Sequence, residues 1–170
     1  SEKLLEKGMP HEFAPSKNPI KRIEVIKNAG RMKIPLTTGL LIGIGETNEE
    51  IINDLFLLKS INNEFENIQE IILQNFQPKR NTTMQGLPSP SNDYFLKIVS
   101  IARLIMPDMN IQIPPNLSPR TFSSFIDAGI NDWGGISPVT IDHVNPEFLW
   151  PKINELKNIT ESKQQRLRAR

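Results

Sequence analysis

With 170 residues, a net charge of +1, and 38% hydrophobic against 23% charged residues, the chain has the make-up of a globular domain with a real core, or of part of a larger one. So small a charge gives no electrostatic reason to expect nucleic acid or a membrane surface as partner, and no stretch approaches the length of a transmembrane span. The absence of cysteine excludes disulfides, thiolate nucleophiles and Cys-ligated metal within these residues, and with no signal-peptide pattern at the start the default expectation is the cytoplasm.

In chain order, Ser1 to Gly8 reads as helix with no strand before it. Asn18 as N-cap, Pro19 at the first helical position and Gly30 past the end then bracket a helix carrying Ile20, Ile23, Val25 and Ile26. Leu36 to Ile44 is an apolar run with little alternation, the pattern of a parallel strand covered on both faces. It ends in Gly43-Ile44-Gly45-Glu46. Thr47, with Glu50 three residues on, is a capping box that opens a helix presenting Ile51, Ile52, Leu55, Phe56 and Leu58 on one side.

A second strand, Glu70 to Phe76, runs into the polar loop Gln77 to Ser91. Tyr94 to Met106 is a helix with Phe95, Ile98, Val99, Ala102 and Ile105 inward, stopped by Pro107. Asn110 to Ile113 is a short strand; Ser118 and Pro119 open a helix that carries Phe122, Phe125 and Ile126 and closes at Gly129. Ile130 to Val139 holds a last turn and a strand interrupted by Gly134 and Gly135. Residues 151–170 form a terminal amphipathic helix, with Ile153, Leu156 and Ile159 on its apolar side, and a basic tail, Arg166 to Arg170, expected to be a solvated helix end.

Strand and helix alternating through short connections indicate parallel βαβ units, in an open doubly wound sheet or a curved barrel. Every loop rich in Gly, Pro, Asn and charge follows a strand: Gly43 to Thr47, Phe76 to Met84, Pro114 to Ser118 and Asn131 to His143. Ligand chemistry therefore gathers on the C-terminal strand edge, as in (β/α) barrels. About four strands are too few to close one, so a further N-terminal portion is expected. At the first loop, Gly43 and Gly45 either leave the backbone open to a flat ligand or form a tight strand-to-helix turn.

Gly39 to Glu46 resembles the G-x-I-x-G-x-x-E element of radical S-adenosylmethionine (SAM) enzymes, with Leu41 at the Ile position. Arg22-Ile23, Asn28-Ala29-Gly30 and Ile101 to Pro107 are similar to the biotin synthase branch of that superfamily, and Asn131 to Glu147 resembles a deazaflavin-forming member of it. The resemblance covers essentially the whole chain. It implies an α/β fold, the C-terminal portion of a radical SAM (β/α) partial TIM barrel with parallel strands and outer helices, residues 1–170 being part of one barrel domain. The family's Cys-x-x-x-Cys-x-x-Cys loop, which holds a [4Fe–4S] cluster, is absent from these residues, which by themselves would be inactive.

The implied chemistry is SAM-radical abstraction of a hydrogen atom from an adduct of tyrosine-derived and ribityl-diaminouracil parts, followed by cyclisation and loss of ammonia. By the same resemblance Arg22, Gly39, Leu41, Gly43, Gly45 and Glu46 would bind SAM, and Asn75, Gln77, Asn116 and Trp133 the substrate. Asp142 and His143 would be the catalytic pair. The implied partners are a small-molecule substrate, a companion deazaflavin-forming subunit acting in the same synthesis and an electron donor, with no nucleic acid or membrane.

Each residue has a second reading. Arg22 either pairs with the SAM carboxylate through its guanidinium fork or sits on a solvated helix face. Glu46 binds ligand hydroxyls or fixes its own turn, and the Asp142–His143 acid–imidazole pair moves a proton or closes the barrel's end. Trp133 stacks on an aromatic substrate or fills the core, and His11 caps the site or steadies a loop. The two histidines, far apart, make no metal site. Alternatives for the whole are another branch member, such as the companion subunit or a menaquinone-pathway enzyme, and a non-catalytic α/β binding module.

Overall fold

The structure is a computed structural model that describes residues 1–119, 121–137 and 139–169, with every side chain among them but that of Phe122. The expected inward side chain of Phe122, Pro138 within the 131–147 segment and Arg170 of the basic tail lie outside the described residues. Among the described residues three parallel strands, β1 (Leu36–Ile42), β2 (Ile68–Asn75) and β3 (Ile111–Gln112), form one sheet in the order β1-β2-β3. Among the described residues five helices connect and flank them: α1 (Pro19–Arg31), α2 (Asn48–Phe65), α3 (Asn92–Ile105), α4 (Phe122–Asp127) and α5 (Ile153–Ser162). The protein is α/β, and parallel strands joined through helices are the arrangement of a partial (β/α) barrel.

Period-two alternation divides each strand between two faces. Leu40, Ile42, Ile71, Leu73, Ile111 and Ile113 face the helices and join one core with Ile51, Leu55, Leu58, Phe95, Ile98, Val99, Ala102 and Phe125. Fully burying a Leu, Ile or Phe side chain contributes about 1.5–3 kcal/mol, so this layer holds the helices to the sheet. The Phe95 and Phe125 rings meet edge to face, centroids 5.3 Å apart, tying α3 to α4. The opposite face is open along β1, where Thr37, Gly39 and Leu41 are exposed. Coverage of β1 on both faces, expected from its unbroken apolar run, is thus corrected: β1 is an edge strand with helices on one side only.

The caps follow the sequence closely. Asn18 Oδ1 accepts from Lys21 N, and Thr47 and Glu50 form the reciprocal capping box. Gly30, however, lies inside α1 and not past its end. A Cβ there would come within 2.5 Å of the Phe65 ring, so the glycine lets α2 close against α1. Ile20, Val25 and Phe56, expected on apolar faces, are exposed. The opening segment holds only a 3-10 turn at Glu2–Leu5.

Ser118 does not open a helix. It closes the 3-10 turn Pro115–Leu117, its hydroxyl accepts from Asn75 Nδ2, and α4 starts four residues later. The fourth strand is reduced to a single parallel bridge between Gln112 and Asp132. Asp132 Oδ1 accepts from Gly134 N at 2.6 Å and Gly134 takes φ +75°, so the chain turns away after one rung. Asn131 Oδ1 compensates by accepting from Ile111 N.

Candidate functional site at the C-terminal strand edge

β1 ends at Ile42 and the backbone enters the left-handed region at Gly43 (φ +98°) and Gly45 (φ +113°). Glu46 folds back over this turn, its carboxylate oxygens accepting from Gly43 N and Ile44 N at 2.5 and 2.8 Å. Of its two sequence readings, the geometry realises the turn-fixing one. The glycines are also used by the protein's own neighbours. A Cβ at Gly43 would lie 2.9 Å from Pro90 Cδ, and one at Gly45 3.1 Å from Met9 Cε. One at Gly39 would lie 2.0 Å from the Ile72 carbonyl oxygen on β2.

Beside this turn, a cleft of about 300 Å³ brings together Arg22, Gly39, Leu41 and Glu46 with His11 and Asp54. Gly43 and Gly45 do not line it. Arg22 is exposed and makes no ion pair among the described residues, and Leu41, 40% exposed, offers apolar surface from the open face of β1. Burial pushes the Asp54 carboxyl up, and the like charges of Glu50 and Glu46 add to it. Burial likewise lowers the His11 imidazole, ahead of the opposing hydrogen bond with the Pro10 backbone.

A second group of residues meets over the ends of β2 and β3. Asn75 Nδ2 donates to Leu117 O (3.2 Å) and Ser118 Oγ (3.4 Å), and Gln77 Nε2 donates to the same Leu117 O at 3.2 Å. Asn116, only 1% exposed, donates to Asp142 Oδ2 at 2.9 Å and to Phe148 O at 3.3 Å. Glu147 forms an ion pair with Lys79, whose ammonium also lies 5.6 Å from the Phe148 ring centre. The loops after β2 and β3 and the 142–148 turn therefore form a closed ring of contacts. The Oδ1 atoms of Asn75 and Asn116 are buried within it and accept no hydrogen bond among the described residues.

Asp142 is the hub of that ring. Its Oδ1 accepts from Val144 N (2.9 Å) and Asn145 N (3.1 Å), and its Oδ2 from Asn145 Nδ2 (2.9 Å) as well as Asn116. Burial alone would raise this carboxyl and is the largest single influence. The donors from Asn145, Asn116 and Val144 together outweigh it and hold the group below the usual carboxylate range. The expected acid–imidazole pair is not formed: no hydrogen bond joins Asp142 to His143, because the carboxylate's acceptor sites are spent on its own turn and on Asn116. His143 is exposed on that turn.

Trp133 stands apart. It is 6% exposed, part of the core, and its Nε1 donates to Thr160 Oγ1 of α5 at 3.1 Å, which is the core reading of this residue. Lys79, Asn145, Glu147 and Phe148 are ring members that sequence reasoning did not assign. The Asp142-x-x-Asn145 spacing is a turn signal that could have found Asn145. Nothing local could have paired Lys79 with Glu147, 68 residues away.

Among the described residues, no group of three or more His, Asp or Glu side chains could hold a metal ion, and no helix is long and apolar enough to cross a membrane.

No protein-family profile matches the chain. It is 50% identical over all of its 170 residues to the 7,8-didemethyl-8-hydroxy-5-deazariboflavin synthase of Methanocaldococcus jannaschii, covering 47% of that protein. It is 48% identical over 170 residues to the protein of the same name from Methanopyrus kandleri, covering 51% of it. Over 152 residues it is 49% identical to the FO synthase of Streptomyces coelicolor, of which that match covers 18%. The chain spans about half the length of the two archaeal relatives and corresponds to their C-terminal part.

Proposed function

We propose that this chain, homologous over its whole length to the C-terminal part of 7,8-didemethyl-8-hydroxy-5-deazariboflavin synthases, supplies one wall of an active site that forms the same deazaflavin by radical SAM chemistry. One observation carries the reading. The Arg22–Leu41–Glu46 cleft and the ring around Asp142 both lie at the C-terminal ends of parallel strands, linked by Phe76 N donating to Ile42 O at 2.8 Å.

SAM fits the cleft through its carboxylate and its adenine. The Arg22 guanidinium, in no ion pair among the described residues, matches a carboxylate, and Leu41 with the bare backbone at Gly39 offers a flat apolar surface. SAM would supply a 5′-deoxyadenosyl radical for hydrogen-atom abstraction from the substrate. The residues described do not fit a [4Fe–4S] cluster, whose cysteines would lie upstream in the complete polypeptide.

In this reading the residues of the chain bind and orient. Gln77 and the Asn75 and Asn116 amides fix the loops that wall a dry site, and Asp142 is a positioning residue that holds the turn on which His143 is presented. His143, the imidazole exposed on that turn, handles a proton during cyclisation or ammonia loss. The substrate is a small molecule with tyrosine-derived and ribityl-diaminouracil parts. A companion subunit and an electron donor complete the system, without nucleic acid or membrane, in the cytoplasm.

The test uses the complete polypeptide, prepared without oxygen and with its cluster reconstituted. Arg22→Ala is expected to weaken SAM binding while leaving the fold intact. His143→Gln is expected to keep 5′-deoxyadenosine formation and to lower deazaflavin formation by about 10²–10⁴-fold. Absence of SAM binding to the unaltered protein would leave the α/β binding module as the reading.

A further inference from the structure

On the open face of the sheet one acidic residue is covered. Glu70 shares that face with Thr37, its register partner on β1, and with Ile72 and Gln74. Thr37 is exposed, yet Glu70 is only 7% exposed. The cavity beside Glu70, about 860 Å³, is walled by Asp132, Trp133 and Leu156 on one side and by residues 165–169 on the other.

The chain reaches this position by a built reversal. α5 stops at Ser162, Gln164 takes φ +59°, and Gln165 N donates back to Thr160 O at 3.2 Å, the six-to-one bond of a Schellman ending. A non-glycine residue in the left-handed region costs on the order of 1 kcal/mol, so contacts made by the returning segment must offset it. Leu167 makes such a contact, packed against the main core. Arg166 and Arg168, flanking it, line the cavity that contains Glu70 and Asp132. The segment is not a helix end, since α5 stops at Ser162, but Arg166 and Arg168 are exposed to solvent as the sequence expectation has it.

We propose that Glu70, Asp132 and the apolar wall of Trp133 and Leu156 form a docking surface for a basic segment, and that its occupant is the chain's own 165–169 stretch. Leu167 anchors this strap, and Arg166 and Arg168 bring positive charge to the cavity that Glu70 and Asp132 also line. The strap covers the sheet face at the start of β2, the end opposite the candidate site. Its function is to close the floor of the structure, independently of which reaction runs at the other end.

Hydrogen exchange read by mass spectrometry on the full chain tests this. Leu167→Asp, and separately the double variant Arg166→Gln/Arg168→Gln, should speed exchange in residues 68–71 and 131–134 by about ten-fold or more, with α2 as protected as before. High salt should carry the unaltered protein toward the double variant, since charge attraction is screened. Should Leu167→Asp expose the whole chain, the double variant decides, because it alters two exposed side chains. Unchanged exchange at 68–71 in the double variant, or equal acceleration in α2, would overturn the proposal.

Discussion

The side-chain amide of Asn116 lies 2.9 Å from Asp142 Oδ2, and this contact joins the end of β3 to a turn 26 residues further along the chain. Two loops that would otherwise move separately are thereby held in one arrangement. Hydrogen bonds to a charged group contribute about 1.5–3 kcal/mol, and Asn116 is almost wholly buried, so its loss is not made good by water. Asn116→Ala is expected to lower unfolding free energy by about 1–3 kcal/mol, read from urea denaturation, and to loosen residues 142–148 in hydrogen exchange.

The depressed Asp142 carboxyl gives a pH dependence with a definite sign. Its folded-state value lies below its unfolded value, so the stabilisation is fully present above the ordinary Asp range near 3.9 and is lost as pH falls through the folded value. Denaturation midpoints measured between neutral and acid pH should fall less steeply for Asp142→Asn than for the unaltered protein. Identical slopes would remove Asp142 from the acid-sensitive groups.

Glycines at different positions should respond differently to a methyl group. At Gly39 the added Cβ meets the Ile72 backbone at 2.0 Å, and a strand backbone cannot yield cheaply. Gly39→Ala is expected to cost more than about 3 kcal/mol or to prevent folding. Gly43→Ala, strained by φ +98° and crowded by Pro90, is expected to cost about 1–3 kcal/mol. Gly135→Ala has open space and should be near neutral. Thermal melts of the three variants check the order.

Arg103 is expected to be a strong point of the second half. Its Nε donates to Gly129 O, its Nη1 to Met106 O, Pro107 O and Met109 O, and its Nη2 to Asn131 Oδ1. One guanidinium thus gathers the end of α3, the approach to β3 and the residue that completes its ladder. Lysine cannot reproduce the fork, so Arg103→Lys should lower the unfolding free energy by about 1–3 kcal/mol and expose Ile111 N to exchange.

The clasp between Lys79 and Glu147 should behave differently, because both partners are partly exposed. Lys79→Met is expected to change stability by less than about 1 kcal/mol. Its effect should appear as faster exchange in the 77–91 loop and in residues 145–148. A loss comparable to that of Asn116→Ala would show that the ring depends on charge more than on its buried amides.

The sequence by itself determined the parallel α/β order, because capping chemistry and hydrophobic spacing are local. Asn18-Pro19, Thr47-x-x-Glu50 and Ser91 each marked a helix start or the loop before one, and the apolar faces of α2 and α3 place Leu55, Phe95 and Val99 in the core. It also located the C-terminal strand edge as the place where polar loops collect. Tertiary structure decided what the residues there do. Gly39 is a glycine for the sake of Ile72, and Gly30 for Phe65. Glu46 spends its carboxylate on its own turn, and Asp142 bonds Asn116 instead of His143. The basic tail folds back because Leu167 finds the core, and the fourth strand stops at one bridge because Asp132 captures Gly134 N. Each of these outcomes is set by which distant group occupies the available volume or lone pair, a competition that no local window of sequence contains.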